Sequence, residues 1–381
     1  MHDLIDVIKG ELRFIGRTPA VLLLIFMAPL AYPFLYCFLY VNKFETGVPV
    51  MVADLDGSTA SRELIRVLDA TETIRVMGIG RDRAIARQAI EDGAAEGSIV
   101  IAGGFERDLA RNARPVVFAY LNSTRFMTVS DIGKGLGDAV AHMGRNILIT
   151  TFTSKGISRE NCVRYAEPLL LQTNVPANTL ACYGDFMIPA ILLLVLQQTL
   201  FAATAIAAAG TRRKSRNKPG GVNTGLRLIG KSIPYALLYS LYAAFFFTVH
   251  YRIWHIPFSG NVMPIALLTV IHFACVIAIG LLTGSFCRSR LSALFIGILS
   301  TYPVFLLSGI PWPVHCMPKA FQAVSAVLPS TYFLPAVFSA ARLGAGWGAL
   351  QRPIAMMPVI FAAVATVLVT RELFLRKRTA G

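Results

Sequence analysis

The sequence predicts a polytopic α-helical membrane protein with six transmembrane helices and an inserted α/β extracytoplasmic domain. Three observations carry that expectation. Of 381 residues, 55% are hydrophobic and only 15% charged, against 45–50% and about 25% in soluble domains. Six stretches are long and apolar enough to span a bilayer, which takes about 20 such residues. One long interruption, residues 42–185, has the composition of ordinary soluble protein. The chain is also basic, with 36 Lys/Arg, 21 Asp/Glu and a net charge of +15. Such a charge serves either nucleic acid or the cytoplasmic side of a membrane. Its distribution along the chain decides between them.

The spans are justified in order. Ala20 to Val41 has no charge between Arg17 and Lys43. It is too long for a cleaved signal sequence and lacks a small-residue cleavage site. Before it, Leu4, Ile5, Ile8, Leu12 and Ile15 recur at helical spacing between charged residues. Residues 1–19 therefore read as an amphipathic helix at the cytoplasmic interface, with an early extension of the first span as the alternative. The other spans are Phe186 to Gly210, Ile233 to His250, Val262 to Phe286, Leu291 to Leu307 and Ile354 to Thr370. They form a block over 186–370, with a basic tail at 371–381.

Lys and Arg near the span ends set the orientation. Six spans place both termini on one side, together with 211–232 and 287–290. Those four pieces hold 16 Lys/Arg and 4 acids, whereas residues 42–185 hold 16 Lys/Arg and 17 acids. The side of the termini is predicted to be the cytoplasm, and nucleic acid is not an expected partner.

The outer domain reads as strands alternating with helices. Strands are expected at Val48 to Ala53, Thr73 to Met77, Ser98 to Ala102 and Pro115 to Leu121. Helices are expected from Ser58 as N-cap through Leu68, at Arg83 to Asp92, at Phe105 to Arg111 and from Thr128 to about Thr153. Asp54 and Asp56 flank a turn, but two carboxylates make a poor cation site, and a capped turn is the preferred reading; no metal is expected. Cys162 and Cys182 leave a disulfide or two unpaired thiols open.

Gly225 to Ser232 matches G-x-x-x-x-G-K-[ST] letter for letter. A phosphate-binding loop follows a buried strand and opens a soluble helix. Here a basic, Gly-rich stretch precedes the match and a membrane span follows it. It is read as a chance match, with Arg227 and Lys231 as interfacial anchors of the third span. No catalytic constellation is visible, so no catalytic residue is nominated. Within the spans, polar residues are few. Gln197, Gln198 and Tyr302 are the pathway candidates; the two glutamines point about 100° apart, so at most one is expected to face a pathway. His272 is expected to hydrogen bond between helices.

After the fifth span, Ser308-Gly309-Ile310-Pro311 and Met317-Pro318 precede an apolar run from Phe321 to Leu328, and Pro329-Ser330-Thr331-Tyr332 breaks it before Phe333 to Ala341. These runs are too short to span. Residues 309–341 read as a re-entrant segment, with Gly309, Pro311, Pro318, Pro329 and Tyr332 as candidate outer-gate residues.

The order of these pieces resembles the membrane subunits of ABC-2-type ABC transporters, the kind with a large outer domain between the first two spans. The likeness covers nearly the whole chain. It includes the strand running into Asp54-Leu55-Asp56-Gly57-Ser58-Thr59-Ala60-Ser61 and, most specifically, the proline-marked segment just quoted. The resemblance implies a permease subunit of an ATP-driven exporter in the bacterial inner (plasma) membrane. It implies a separate ABC ATP-binding subunit that uses ATP and Mg, no cofactor on this chain, and a second permease subunit, identical or related. An extracytoplasmic adaptor and membrane lipid are further expected partners. In that family the segment between the second and third spans contacts the ATPase, which assigns coupling to Arg212, Arg213, Lys214, Arg216 and Lys218. Family members often carry Glu there, and this sequence has no acid in the stretch. The alternative is a membrane-anchored binding or adaptor protein acting through its outer domain; no residue set supports a lipid-modifying enzyme.

Overall fold

The computed structural model describes residues 2–41, 45–111, 113–166, 183–215 and 223–380. It comprises two compact units, a helical one from residues 1–41 and 175–381 and a mixed one from residues 42–174.

In the helical unit, helix α1, His2–Arg17, precedes the first apolar helix, Pro19–Leu39. The two are distinct, because Thr18 is extended and Pro19 opens a new helix. Proline suits that first position, since its missing N–H would be unpaired there anyway. Six helices among the described residues are long and apolar enough to cross a membrane. After the first they are Gly184–Ala209, Thr224–Ile253, Val262–Phe286, Arg290–Leu307 and Trp347–Phe374. The second belongs to a longer helix, Tyr183–Ser215, and the sixth runs into Gln351–Ala380. The third begins at Thr224 rather than Ile233, because the Gly225–Ser232 stretch is itself helical. The first and third spans each contain a π-turn, at Leu23–Met27 and Phe246–His250. These turns lie in the two helices that meet through Cys37 Sγ and His250 Nε2, 3.5 Å apart.

The second span is the hub, with 83% of its apolar window buried, whereas the fifth is 11% buried. Small residues make this possible. A side-chain carbon on Gly280 or Gly284 of the fourth span would overlap Thr204 and Ala205 of the second. One on Gly297 of the fifth would lie 2.8 Å from the Ala202 methyl. In lipid, where helices gain little from excluding water, such close backbone approach supplies much of the packing energy.

The mixed unit is a four-stranded sheet of order β2-β1-β3-β4. Its strands are β1 Val48–Asp54, β2 Ile74–Gly80, β3 Gly97–Ile101 and β4 Val117–Leu121. The first three are parallel and β4 is antiparallel to β3. The second strand extends beyond Met77 because it stays paired with β1 to Gly80 across a bulge at Val50/Met51. Helices α2 Thr59–Asp69, α3 Arg83–Glu91, α4 Phe105–Ala110, α5 Phe126–Ser154 and α6 Arg159–Ala166 complete it. The main core joins Val50, Val52, Ile99 and Ile101 of the sheet to Leu64, Leu68 and Ile132 of the helices.

The turn after β1 is a cap. Asp54 accepts from the Asp56 and Gly57 amides at 3.1 and 2.9 Å and from Ser61 Oγ at 2.7 Å. Asp56 accepts from the amides of Gly104, Phe105 and Glu106 at 2.6, 3.1 and 3.1 Å, tying the turn to the start of α4. The Ser58 hydroxyl, followed by these amides, holds the Asp56 carboxyl below its usual range. Cys162 is buried with its thiol 3.4 Å from the Ile157 carbonyl. Cys182 lies outside the described residues.

Candidate functional site

Gln197 and Gln198 sit near the middle of the second span, and both are buried. Both are covered because this helix is enclosed on most sides and has almost no free face. Gln197 Oε1 and Gln198 Nε2 have no hydrogen-bond partner among the described residues. Their neighbours Thr199 and Thr204 satisfy themselves by donating to Val195 and Leu200 carbonyls at 2.7 and 2.8 Å. His272 of the fourth span is fully buried and makes no interhelical hydrogen bond among the described residues. Its ring instead stacks on Phe333 at 3.9 Å between centroids. Tyr302 is 68% exposed on the fifth span, whereas the two glutamines are buried.

The segment after the fifth span is a bent helix pair, α7 Lys319–Ala326 and α8 Pro329–Leu343, at 80° to each other. Each proline has a place in it. Gly309 takes a left-handed backbone, φ +86°, as the fifth span ends, which glycine adopts without a Cβ penalty. Pro311 follows in the turn, and Pro318 is the N-cap of α7. The Pro329–Tyr332 stretch was expected to break the run. The break lies instead at Val327-Leu328, and Pro329 starts α8, where its fixed φ suits a first turn.

The bend is held by polar contacts. Ser325 Oγ and Thr331 Oγ1 both donate to the Leu307 carbonyl, at 2.7 and 3.2 Å, and lie 3.1 Å apart. Leu307 is the last residue of the fifth-span helix, whose final carbonyls lack partners within that helix. Tyr332 donates to the Ala326 carbonyl at 3.0 Å across the bend, and Gln322 donates to the Met317 carbonyl at 2.8 Å.

At the other end of the bundle, the second-span helix continues past its apolar window and carries Arg212, Arg213 and Lys214. Arg216 and Lys218 lie outside the described residues. Beside this end, α1 packs against the first turns of the third span. Leu4, Val7, Ile8, Glu11, Phe14 and Ile15 form its covered face, while Ile5 and Leu12 are exposed. The expected apolar stripe is therefore split, because α1 packs on another helix through one face and leaves two of the five apolar positions outside it. Glu11 is the surprise in that face. Its Oε1 accepts from Tyr235 OH at 2.9 Å. Burial pushes its carboxyl above the usual glutamate range, while the Lys231 charge and the tyrosine oppose that rise.

Arg227 and Lys231, expected as interfacial anchors, also take partners on other helices of the unit. Lys231 is buried, and Arg227 pairs with Glu372 of the last helix. Three of the four defined letters of the phosphate-loop match have structural roles within the helix packing. Gly230 lies where a side-chain carbon would come within 2.8 Å of Val7 Cγ1, Lys231 is beside Glu11, and Ser232 Oγ donates to the Leu228 carbonyl at 2.9 Å. The whole stretch is helix, with its N–H groups directed along the helix axis and not into a cradle.

Comparison with known proteins gives the family. The sequence profile described as ABC-2 family transporter protein matches residues 19–371. The chain is 25% identical over 155 residues to the probable multidrug ABC transporter permease YbhR of Escherichia coli K12, covering 40% of this chain and 42% of that protein. It is 24% identical over 176 residues to the probable multidrug ABC transporter permease YbhS of the same strain, covering 44% and 46%. The aligned regions thus span less than half of these curated relatives. The profile, however, runs through the first span, the mixed unit and the helical block. This chain belongs to the ABC-2 transporter family, as a multi-pass membrane component of the permease type.

Proposed function

We propose that the chain is the membrane-spanning permease subunit of an ATP-driven exporter, forming its pathway as a dimer and driven by a separate ATPase subunit. The family match over residues 19–371 carries this reading. The architecture supports it. The second-span helix extends beyond its apolar window into a basic end, which offers Arg212, Arg213 and Lys214 to an acidic partner surface. The fifth span leaves Phe295, Leu299 and Tyr302 uncovered, a face on which a second permease subunit could pack. ATP and Mg would act on the partner. The mixed unit would sit outside the bacterial inner membrane and both termini in the cytoplasm, as the charge distribution argues. Gly309, Pro311, Pro318, Pro329 and Tyr332 would shape the outer gate, and Gln197, Gln198 and Tyr302 the pathway. The two relatives are named as probable multidrug permeases, so drugs are the first substrates to assay.

The test is reconstitution in sealed vesicles with the copurified ATPase. Replacing Arg212, Arg213 and Lys214 together by Ala is expected to lower ATP-driven transport at least tenfold with the complex still assembled. Full transport by the permease in the absence of any ATPase would overturn the proposal.

A further inference from the structure

Three segments far apart in sequence meet at one group of charges, of which Glu11 and Lys231 are buried and Arg227 and Glu372 half-buried. Glu11 comes from α1, Arg227 and Lys231 from the start of the third span, and Glu372 from the end of the sixth. Glu11 and Lys231 are 6% and 9% exposed. Tyr235 holds the Glu11 carboxylate from the next turn at 2.9 Å, and Arg227 is paired with Glu372. Lys231 feels the charges of Glu11, Arg227 and Glu372 together. The groups are pressed together by close packing, since Val7 of α1 seats on the bare backbone of Gly230. An Arg290 guanidinium 5.0 Å above the Phe14 ring brings the start of the fifth span to the same helix.

A helix held only by its apolar face could slide or roll on its neighbour, because dispersion contacts are not directional. Buried charge pairs are directional, and separating one leaves an uncompensated charge away from water. They therefore favour one register and one rotation of α1 on the third span.

We propose that Glu11, Lys231, Arg227 and Glu372 form a joint that makes α1 and the adjoining ends of the third and sixth spans move as one body. These are positioning residues for transport. Force applied by an ATPase partner at α1 or at the segment before the third span then reaches all three helices together. The proposal rests on the permease reading, but its first measurement does not.

That measurement is a charge-exchange cycle on the full-length chain. Glu11→Lys is expected to lower the melting temperature in detergent, and the double variant Glu11→Lys/Lys231→Glu to regain at least half of the loss. In the reconstituted complex, Glu11→Lys is expected to lower substrate moved per ATP hydrolysed at least tenfold, with hydrolysis retained, and the exchange to restore it. A merely structural role would reduce both rates in proportion and leave their ratio unchanged. If Glu11→Lys does not assemble, the exchange of Arg227→Glu with Glu372→Arg is read in the same way. Wild-type stability and coupling in the single variants, or an exchange no better than the worse single variant, would overturn the joint. Absence of ATP-driven transport by the wild type would overturn the permease reading instead, leaving the melting cycle to decide the joint.

Discussion

Asp56 shows how much one side chain can organise. It accepts three consecutive amides at the start of α4 and thereby fixes the end of β3 to the turn after β1. Capping interactions of this kind contribute about 1 kcal/mol, and the partly solvated position argues for no more than that. Asp56→Ala is expected to lower the melting temperature by a few degrees at neutral pH. Because the folded carboxyl titrates below its usual value, its stabilisation is present above the unfolded aspartate pKa of about 3.9. It is lost as pH falls through the lower, folded value. Melting curves of the two proteins should converge in that window, and a constant difference down to pH 2 would assign the effect to packing. The Asp54 half of the DxDG turn was legible in the sequence because its partners Asp56, Gly57 and Ser61 are local, whereas the amides that bind Asp56 are distant in sequence. Glu11 was not, since the hydroxyl that binds it is 224 residues away and a charged residue within an amphipathic pattern looks solvated.

At the scale of elements, the span positions were legible because about 20 apolar residues leave few alternatives in any sequence. Their ends were not, because charged residues such as Arg227 and Glu372 pair with each other and let helices continue where a hydropathy pattern stops. Nor was the packing of the second span. Only the structure shows that Gly280 and Gly284 meet its backbone, so that Gly284→Leu must separate two helices or distort them. Overpacking of this kind costs about 1–3 kcal/mol. Gly284→Leu should give a poorly folded chain by size-exclusion profile, whereas Gly10→Ala on α1, with open space around it, should be as monodisperse as the wild type. The bent pair after the fifth span makes a finer prediction. Ser325 and Thr331 share the Leu307 carbonyl, and interhelical hydrogen bonds in membranes average about 0.6 kcal/mol. Ser325→Ala combined with Thr331→Val should lower the melting temperature modestly, while Thr331→Ser, which keeps the hydroxyl, should not. A loss in Thr331→Ser as large as in the double variant would mean that the shared hydroxyl contacts are not the source of the effect.

The molecule as a whole is a membrane unit and a mixed unit in one chain, and its orientation is open to direct measurement. Cys316, in the turn before α7, is exposed, whereas Cys287, beside Arg288 and Arg290, is buried. In intact cells carrying a Cys182→Ser background, a membrane-impermeant maleimide is expected to label Cys316, and the further change Cys316→Ser to abolish that labelling. Labelling only in inverted vesicles would reverse the proposed topology. The length of the second-span helix has a mechanical meaning. Its 33 residues make a rod about 50 Å long at 1.5 Å per residue, against about 30 Å of hydrocarbon. Its one internal proline, Pro189, lies toward the far end. Between Arg212 and Gln197 the shaft has no joint, so a twist applied to its basic tip turns the glutamines at mid-membrane by nearly the same angle. The permease would then work as a crank, with the gearing set by how far its handle stands out of the bilayer.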